Sequence, residues 1–393
     1  MLAVIAVLFV VIASAAQAQS LPSEPLTFGG GRVVIGGDVT ATVGPQDPGF
    51  FNYYAYNGLR DIRIGVIAEV RAHERVQFLS DVRIHRSEPF EPYGFYARIR
   101  PWLSRRVAIL VGRVPPTFGA FGRSAYSNSN LLIGYPLAYQ YLTSLRADAL
   151  PANVDELLGM RGRGWRVNYS LGDRARARGL PLVNGFHWDT GVQVRGRSGV
   201  VEWTGSLTTG SLSAPRLKDD NGGRQVAGRA VVHLTPGLAL GASAASGAFM
   251  SRSLEPELTN GAEAEDAMQR GLGIDTEYSR GRFIGRGEVI WSRWTLPEPF
   301  QGGPLNATAV LGEARYRLLP GIHVAARAEH LGFSRVTGSE RRAWDAPVKR
   351  FEVGAGWSLQ RNVMLKASWQ RNLRDAGRVR RDTLGAAQLV YWF

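Results

Sequence analysis

From Gly31 onward, stretches of about ten residues alternate between apolar and polar positions. A period of two belongs to a β-strand, whose successive side chains leave opposite faces. Ile62, Ile64, Val66, Ala68 and Val70 share one face, with Asp61, Arg63, Glu69 and Arg71 on the other. After a tight connection at His73-Glu74, Val76, Phe78, Val82 and Ile84 oppose Gln77, Asp81, Arg83 and His85. Tyr93, Phe95, Ala97 and Ile99 are assigned away from Tyr96, Arg98 and Arg100, and Val310, Ala314, Tyr316 and Leu318 away from Glu313, Arg315 and Arg317. In the last stretch, Leu384 to Phe393, Leu389, Tyr391 and Phe393 share one face and Gln388, Val390 and Trp392 the other. Such alternation suits both a soluble sandwich and a membrane barrel, so the connections must decide.

Short turns are expected at His73-Glu74, Leu103 to Arg106, Arg195 to Gly199, Thr235 to Gly237, Ser279 to Arg282, Pro320-Gly321 and Gln360 to Asn362. Longer connections fall between them, near 44 to 59, 87 to 92, 114 to 183, 211 to 223, 250 to 268, 295 to 304, 334 to 349 and 374 to 381. Regular short-long alternation is what an outer-membrane barrel produces, and a Greek-key sandwich has no reason to keep it. The expected fold is therefore all-β: a transmembrane antiparallel β-barrel of 16 strands, or 18 if Gly164 to Gly172 is a strand partnered near Ala138 to Arg146. Trp203, Trp291, Tyr316, Trp357, Trp369 and Tyr391 lie on the lipid parity, as interfacial girdles require.

Composition sharpens this. Residues 1–18 form an uncharged, mostly apolar run ending Ala16-Gln17-Ala18, which reads as a secretory signal cleaved before Gln19, although no Lys or Arg precedes it. A membrane anchor is the rival reading. No later run is long and apolar enough for a spanning helix, and the absence of cysteine excludes a disulfide framework or thiolate metal site. No linker divides residues 19–393, so one barrel domain is expected. The ending on Phe393 resembles the closing strand of bacterial outer-membrane β-barrel proteins, which implies recognition by the barrel-assembly machinery.

The connection Val114 to Asn184 is far beyond ordinary loop length and should be functional or structured. Tyr135, Pro136, Leu137, Ala138, Tyr139 and Tyr141 equip it to pack on a barrel wall, and Ala149 to Met160 can form a helical turn or two. It follows the fifth strand counted. Gly112-Arg113-Val114-Pro115-Pro116-Thr117-Phe118-Gly119 resembles the stretch that enters this loop in the phosphate-selective porin family. The resemblance implies an inward-folded constriction loop about 114–184, carrying Arg113, Phe118, Arg123, Tyr135, Tyr139 and Arg146, and a homotrimer. The family's pores also carry a lysine cluster; this chain has only Lys218, Lys349 and Lys366.

The formal charge is +14, and 44 of the 47 basic residues are arginine. Arginine's planar fork suits carboxylate and phosphate, while a genome rich in G and C gives the same bias. Parity assigns Arg63, Arg83, Arg98, Arg100, Arg286, Arg315, Arg317 and Arg327 to the pore lining. Asp38, Asp61, Glu69, Asp81, Glu288, Glu313, Glu329 and Glu352 on the same parity nearly balance the wall and should pair across strands. The excess lies in connections, Arg161 to Arg178 and Arg371 to Arg381, where it serves either anion attraction at the mouth or the phosphates of lipopolysaccharide.

The six histidines show no triad spacing with a nucleophile, and no HExxH, phosphate loop or clear metal cluster exists, so no enzyme activity, metal or cofactor is expected. Nucleic acid is not an expected partner. The sequence points to a porin passing small hydrophilic solutes with a preference for anions. The alternative is a structural or surface-binding barrel with a plugged lumen.

Overall fold

The computed structural model describes residues 22–54, 56–57, 59–85, 88–124 and 126–393, without the side chains at 53–58, 85–92 and 123–125. The expected signal segment at 1–18 lies outside the described residues.

Sixteen antiparallel strands form one ring. In chain order they are β1 (Val33–Val43), β2 (Ile62–His73), β3 (Val76–His85), β4 (Glu88–Ile99), β5 (Val107–Val114), β6 (Asp189–Ser198), β7 (Val201–Thr208) and β8 (Gln225–Thr235). There follow β9 (Leu238–Ala248), β10 (Met268–Arg280), β11 (Phe283–Trp294), β12 (Leu305–Leu319), β13 (Ile322–Phe333), β14 (Val348–Gln360), β15 (Val363–Arg374) and β16 (Arg381–Trp392). Each strand pairs with the next, and β16 pairs with β1, Asp38 opposite Trp392. One further short strand, Leu26–Phe28, continues the seam by pairing with Val33–Ile35. Gly164 to Gly172 adds no wall strand; within it Val167 bridges Ala177 and Leu171–Gly172 pairs with Ala149–Leu150.

All seven expected short turns lie at one rim, several of only two residues, such as Gly281-Arg282 and Pro320-Gly321. Gly281 and Gly321 take φ of 59° and 80°, which their missing Cβ permits in so tight a reversal. The long connections share the opposite rim, with one correction. The expected loop at 87 to 92 does not exist, because β4 starts at Glu88 and His85 pairs with it. Pro89 and Pro92 read as loop residues, yet the ladder absorbs them by slipping register at Asp81/Val82 and Arg83/His85.

That slip overturns a second expectation. Tyr93 is skipped between the pairs Val82–Pro92 and Asp81–Gly94, so it turns inward instead of toward lipid and is fully buried. Elsewhere parity holds. Ile62, Ile64, Val66, Phe78, Phe95, Val310, Tyr316 and Leu318 are exposed on the outside, while Arg63, Gln77, Asp81, Arg83 and Glu313 are buried inside. Trp203, Tyr316 and Trp357 lie toward the short turns, and Trp291, Phe351 and Trp369 lie further toward the long loops, all exposed outward. An apolar outer surface with aromatic residues toward both rims is the surface of a wall that crosses a bilayer. No described helix is long and apolar enough to cross a membrane.

Ring closure is backbone chemistry. Gly37 and Phe393 exchange both N–H···O bonds, at 3.1 and 3.0 Å. A Cβ on Gly37 would lie 3.0 Å from Phe393 Cζ, so a glycine is needed where the terminal ring lies.

Candidate functional site

The connection after β5 runs from 115 to 188 and folds into the lumen, where it meets two chemically different stretches of wall. Against β8 to β13 the contact is apolar. Phe118 lies over Gly271 and Gly273, whose missing side chains leave room for its ring. Leu182, Val183 and the short helix α1 (Leu137–Gln140) join a continuous cluster with Ala227, Ala245, Ile290, Ala307, Ala309 and Leu331 of the wall. Tyr139 Oη donates to Glu288 at 2.7 Å, and Ala120 N–H donates to the same carboxylate oxygen at 2.8 Å. Burial, with Glu288 beside it, raises the Tyr139 phenol well above its ordinary value, which keeps it a neutral donor. Toward the long-loop rim the cluster is completed by Trp344, edge-on to Trp294 at 5.7 Å and bonded through its indole N–H to Asn306 O.

Against β13 to β16 and β1 to β3 the contact is ionic. Residues 126–137 form a strap tied to wall charges at short intervals. Tyr126 Oη donates to Asp81 at 2.6 Å, and the Arg83 guanidinium lies between the Tyr93 and Tyr126 rings, 4.2 and 4.5 Å from their centroids. Arg63 donates to Ser127 Oγ and Tyr135 Oη while pairing with Asp38 at 3.3 Å. Lys366 donates to the carbonyls of Ser127 and Asn130. Arg327 reaches Gly134 O at 2.7 Å and Asn130 Oδ1 at 3.0 Å and is paired with Glu313 and Glu352. Gly134 N–H donates to Glu352, Leu137 N–H to Glu329, and Arg350 donates to Tyr135 O. Arg63, Arg83, Arg327, Arg350 and Lys366 are each at most 4 % exposed. Every one of these charges has a compensating group, as burial demands.

Toward the short-turn rim the loop leaves the wall uncovered. A cavity of about 300 Å³ beneath Ala120, Phe121 and Pro136 is floored by Arg229, Asp275, Glu277, Arg286 and Glu313. A second, of about 500 Å³, opens beside Arg98, Arg100, Arg195 and Arg197. Cross-strand pairs brace part of this wall: Arg229 with Asp275 at 2.6 Å, Arg286 with Glu277 at 2.8 Å, and Arg98 with Glu69 at 3.4 Å. Arg100, Arg195, Arg315 and Arg317 make no ion pair among the described residues, and the Arg315 Nε is buried without a partner.

The eight arginines expected in the lining thus divide. Arg98, Arg286 and Arg315 face inward and are half-buried, and Arg100 and Arg317 are exposed near the short-turn rim. Arg63, Arg83 and Arg327 also point inward but are covered by the strap, because a buried loop needs their donors for its carbonyls and hydroxyls. Of the six loop residues, Phe118, Tyr135 and Tyr139 meet the wall. Arg113 belongs to β5 and donates outside the lumen strap, to Trp188 O. Arg146 is buried within the loop itself, bonded to Asp148 and Val167 O, so it braces the loop and lines nothing. The Arg123 side chain lies outside the described residues. One wall residue escapes the sequence reading, Arg350, although its shared parity with Glu352 makes it legible; Arg195, which parity also assigns inward, lines the uncovered wall.

No protein-family model matches the chain, and no curated protein matches it. Among solved structures, outer-membrane expressed OmpT of Vibrio cholerae aligns with a TM-score of 0.56 at 10 % identity, covering 94 % of this chain and 100 % of that one. The anion-selective porin from Comamonas acidovorans aligns with a TM-score of 0.54 at 11 % identity over 92 % and 99 % of the two chains. The outer-membrane channel DcaP of Acinetobacter baumannii gives 0.51 at 10 % identity over 94 % and 100 %. At such identities the likeness is one of fold, and the fold is that of outer-membrane β-barrels.

Proposed function

We propose that this protein is an outer-membrane porin, a passive channel for small hydrophilic solutes that favours anions. The observation that carries this reading is the split among the inward arginines. Those touching the folded-in loop are neutralised by carboxylates, whereas Arg100, Arg195, Arg315 and Arg317 stand uncompensated along the uncovered half of the lumen. An uncompensated cation in a low-dielectric cleft concentrates anions and repels cations. Arg98 and Arg286, each still shared with a carboxylate, complete the lining, and the loop 115–188 sets the narrowest width. The fold likeness to a porin described as anion-selective supports the preference. A trimer is proposed in keeping with the trimer form in which OmpT of Vibrio cholerae was solved. Small outward residues Gly228, Ala230, Ala242 and Ala244 offer a seam for subunit contact. The chain acts without enzymatic chemistry on this reading, and its last strand serves as the handle for barrel assembly.

Planar bilayers decide the matter. Discrete conductance steps with a reversal potential displaced toward the anion equilibrium are expected; a silent barrel would favour the plugged, structural alternative.

A further inference from the structure

In β10 to β16 the outward positions carry no Asp or Glu at all, and basic side chains gather on them near the long-loop ends, with Arg280 alone at the short-turn end. Arg270, Arg293, His330, Lys349, Arg371 and Arg381 each lie within three residues of the strand end from which a long loop departs. All six are exposed, and none makes an ion pair among the described residues. Arg270 and Arg293 stand directly opposite each other on neighbouring strands, as do His330 and Lys349. Two residues further along the same faces come Trp291, Phe351 and Trp369, the outer aromatic belt. The corresponding level of β1 to β9 is different: Val43, Ile62, Ile84, Val111, Val192, Leu207 and Val226 are exposed there.

Like charges opposed across a strand pair repel, and outward cations at a lipid boundary have no protein counter-charge to relieve them. Immediately above an aromatic belt, the lipid headgroups are the available anions. The structure assigns this arc to the binding of phosphate groups on lipids of the outer leaflet, as a phosphorylated glycolipid presents them. Arg270 and Arg293 form the central clamp, since two guanidinium forks facing one gap can share a phosphate between them and turn mutual repulsion into attraction. The arc covers seven of the sixteen strands, so lipid phosphate is held along one sector and the apolar sector of β1 to β9 is left for other contacts. This assignment rests on the outer-membrane reading above but not on conduction.

The test uses the full barrel in detergent, titrated with bisphosphorylated lipid A, the same lipid A with its phosphates removed, and inorganic phosphate, with retained lipid counted by native mass spectrometry. Bisphosphorylated lipid A is expected to bind, the dephosphorylated form at least tenfold more weakly, and inorganic phosphate not measurably. Arg270→Gln/Arg293→Gln/Lys349→Gln/Arg371→Gln should weaken lipid A binding at least tenfold, and Arg270→Gln/Arg293→Gln alone should account for most of the loss. The charge-keeping Arg270→Lys/Arg293→Lys should retain most of it. If the fourfold variant does not fold, as judged by heat-modifiable migration, the two double variants decide. Equal binding by the variants and the parent, or equal binding of both lipid forms, overturns the assignment; tight binding of free phosphate with the same residue dependence overturns the lipid as its source. Single-channel conductance of the fourfold variant should equal the parent's. Silence of both, with lipid binding intact, would defeat the channel reading and leave this one standing.

Discussion

Two groups of arginines face the same lumen and do opposite work. Arg63, Arg83, Arg327 and Arg350 are sealed under residues 126–137, each held by carboxylates, rings, hydroxyls or loop carbonyls. Arg100, Arg195, Arg315 and Arg317, toward the short-turn rim, keep their charge without a carboxylate partner among the described residues. The difference shows that the direction a charged side chain points does not fix its role. What decides is whether a second segment arrives to use its donors. The first group holds a loop in place, and the second leaves a field in the remaining space.

The largest effect expected from breaking this contrast comes from the sealed group. Arg327→Ala removes the ion pair of Glu352, leaves Glu313 with Arg286 alone and frees Gly134 O and Asn130, and removal of one partner from a buried ionic group costs about 3–5 kcal/mol. The thermal transition of the purified barrel should fall accordingly, and the loop should become cleavable by protease; an unaltered transition would show that the strap is not held by this residue. By contrast, Arg100→Ala/Arg195→Ala/Arg315→Ala should change stability by no more than about 0.5 kcal/mol per site, as for surface substitutions. It should still move the reversal potential toward zero in a salt gradient. If selectivity survives that triple change, the uncompensated arginines do not set it.

The barrel itself is legible because two independent regularities, parity within strands and the spacing of turns, agree everywhere but at the β3–β4 hairpin. The position of the long loop after the fifth strand followed from the same count. What could not be read was the wall's internal coverage. Arg63 and Arg315 have the same parity and similar neighbours in sequence, and only the path of residues 126–137, set by contacts more than sixty positions apart, separates them. Tyr93 was misplaced for a local reason: a bulge shifts parity by one residue, and Pro89 and Pro92 concealed the strand that contains it. Arg113 and Arg146 were assigned by proximity to the loop, which says nothing about which way each side chain turns.

A smaller effect sharpens the apolar side of the comparison. Tyr139→Phe keeps the ring in its cluster but leaves Glu288 with one donor fewer, a change of about 1–3 kcal/mol for a buried group losing a partner. Current noise through an open channel should increase as the loop loosens, with the reversal potential unchanged; a shifted reversal potential would mean that Tyr139 shapes selectivity as well.

The smallest expected effect is a pH dependence in the loops. Asp345, in the connection between β13 and β14, accepts N–H bonds from Ser144 and Gly162 of the long loop. Burial raises its carboxyl above the usual carboxylate range, outweighing those bonds. Below that range both folded and unfolded chains hold the proton and its contribution to docking is complete. As pH rises, the unfolded chain releases its proton first, so docking weakens until the raised value is passed. Hydrogen exchange at Ser144 and Gly162, corrected for intrinsic rates, should therefore accelerate from acid to neutral pH. Asp345→Asn should abolish that trend, and a persistent trend would assign it to another group.

The mutual bonds between Gly37 and Phe393 have a consequence for biogenesis. Until β16 is seated, β1 and β15 each present a bare flank. A chain cut short by even one strand would be an open curl with two unsatisfied margins, prone to join other chains. Seating β16 between β15 and β1 is consequently the single step that removes both margins at once.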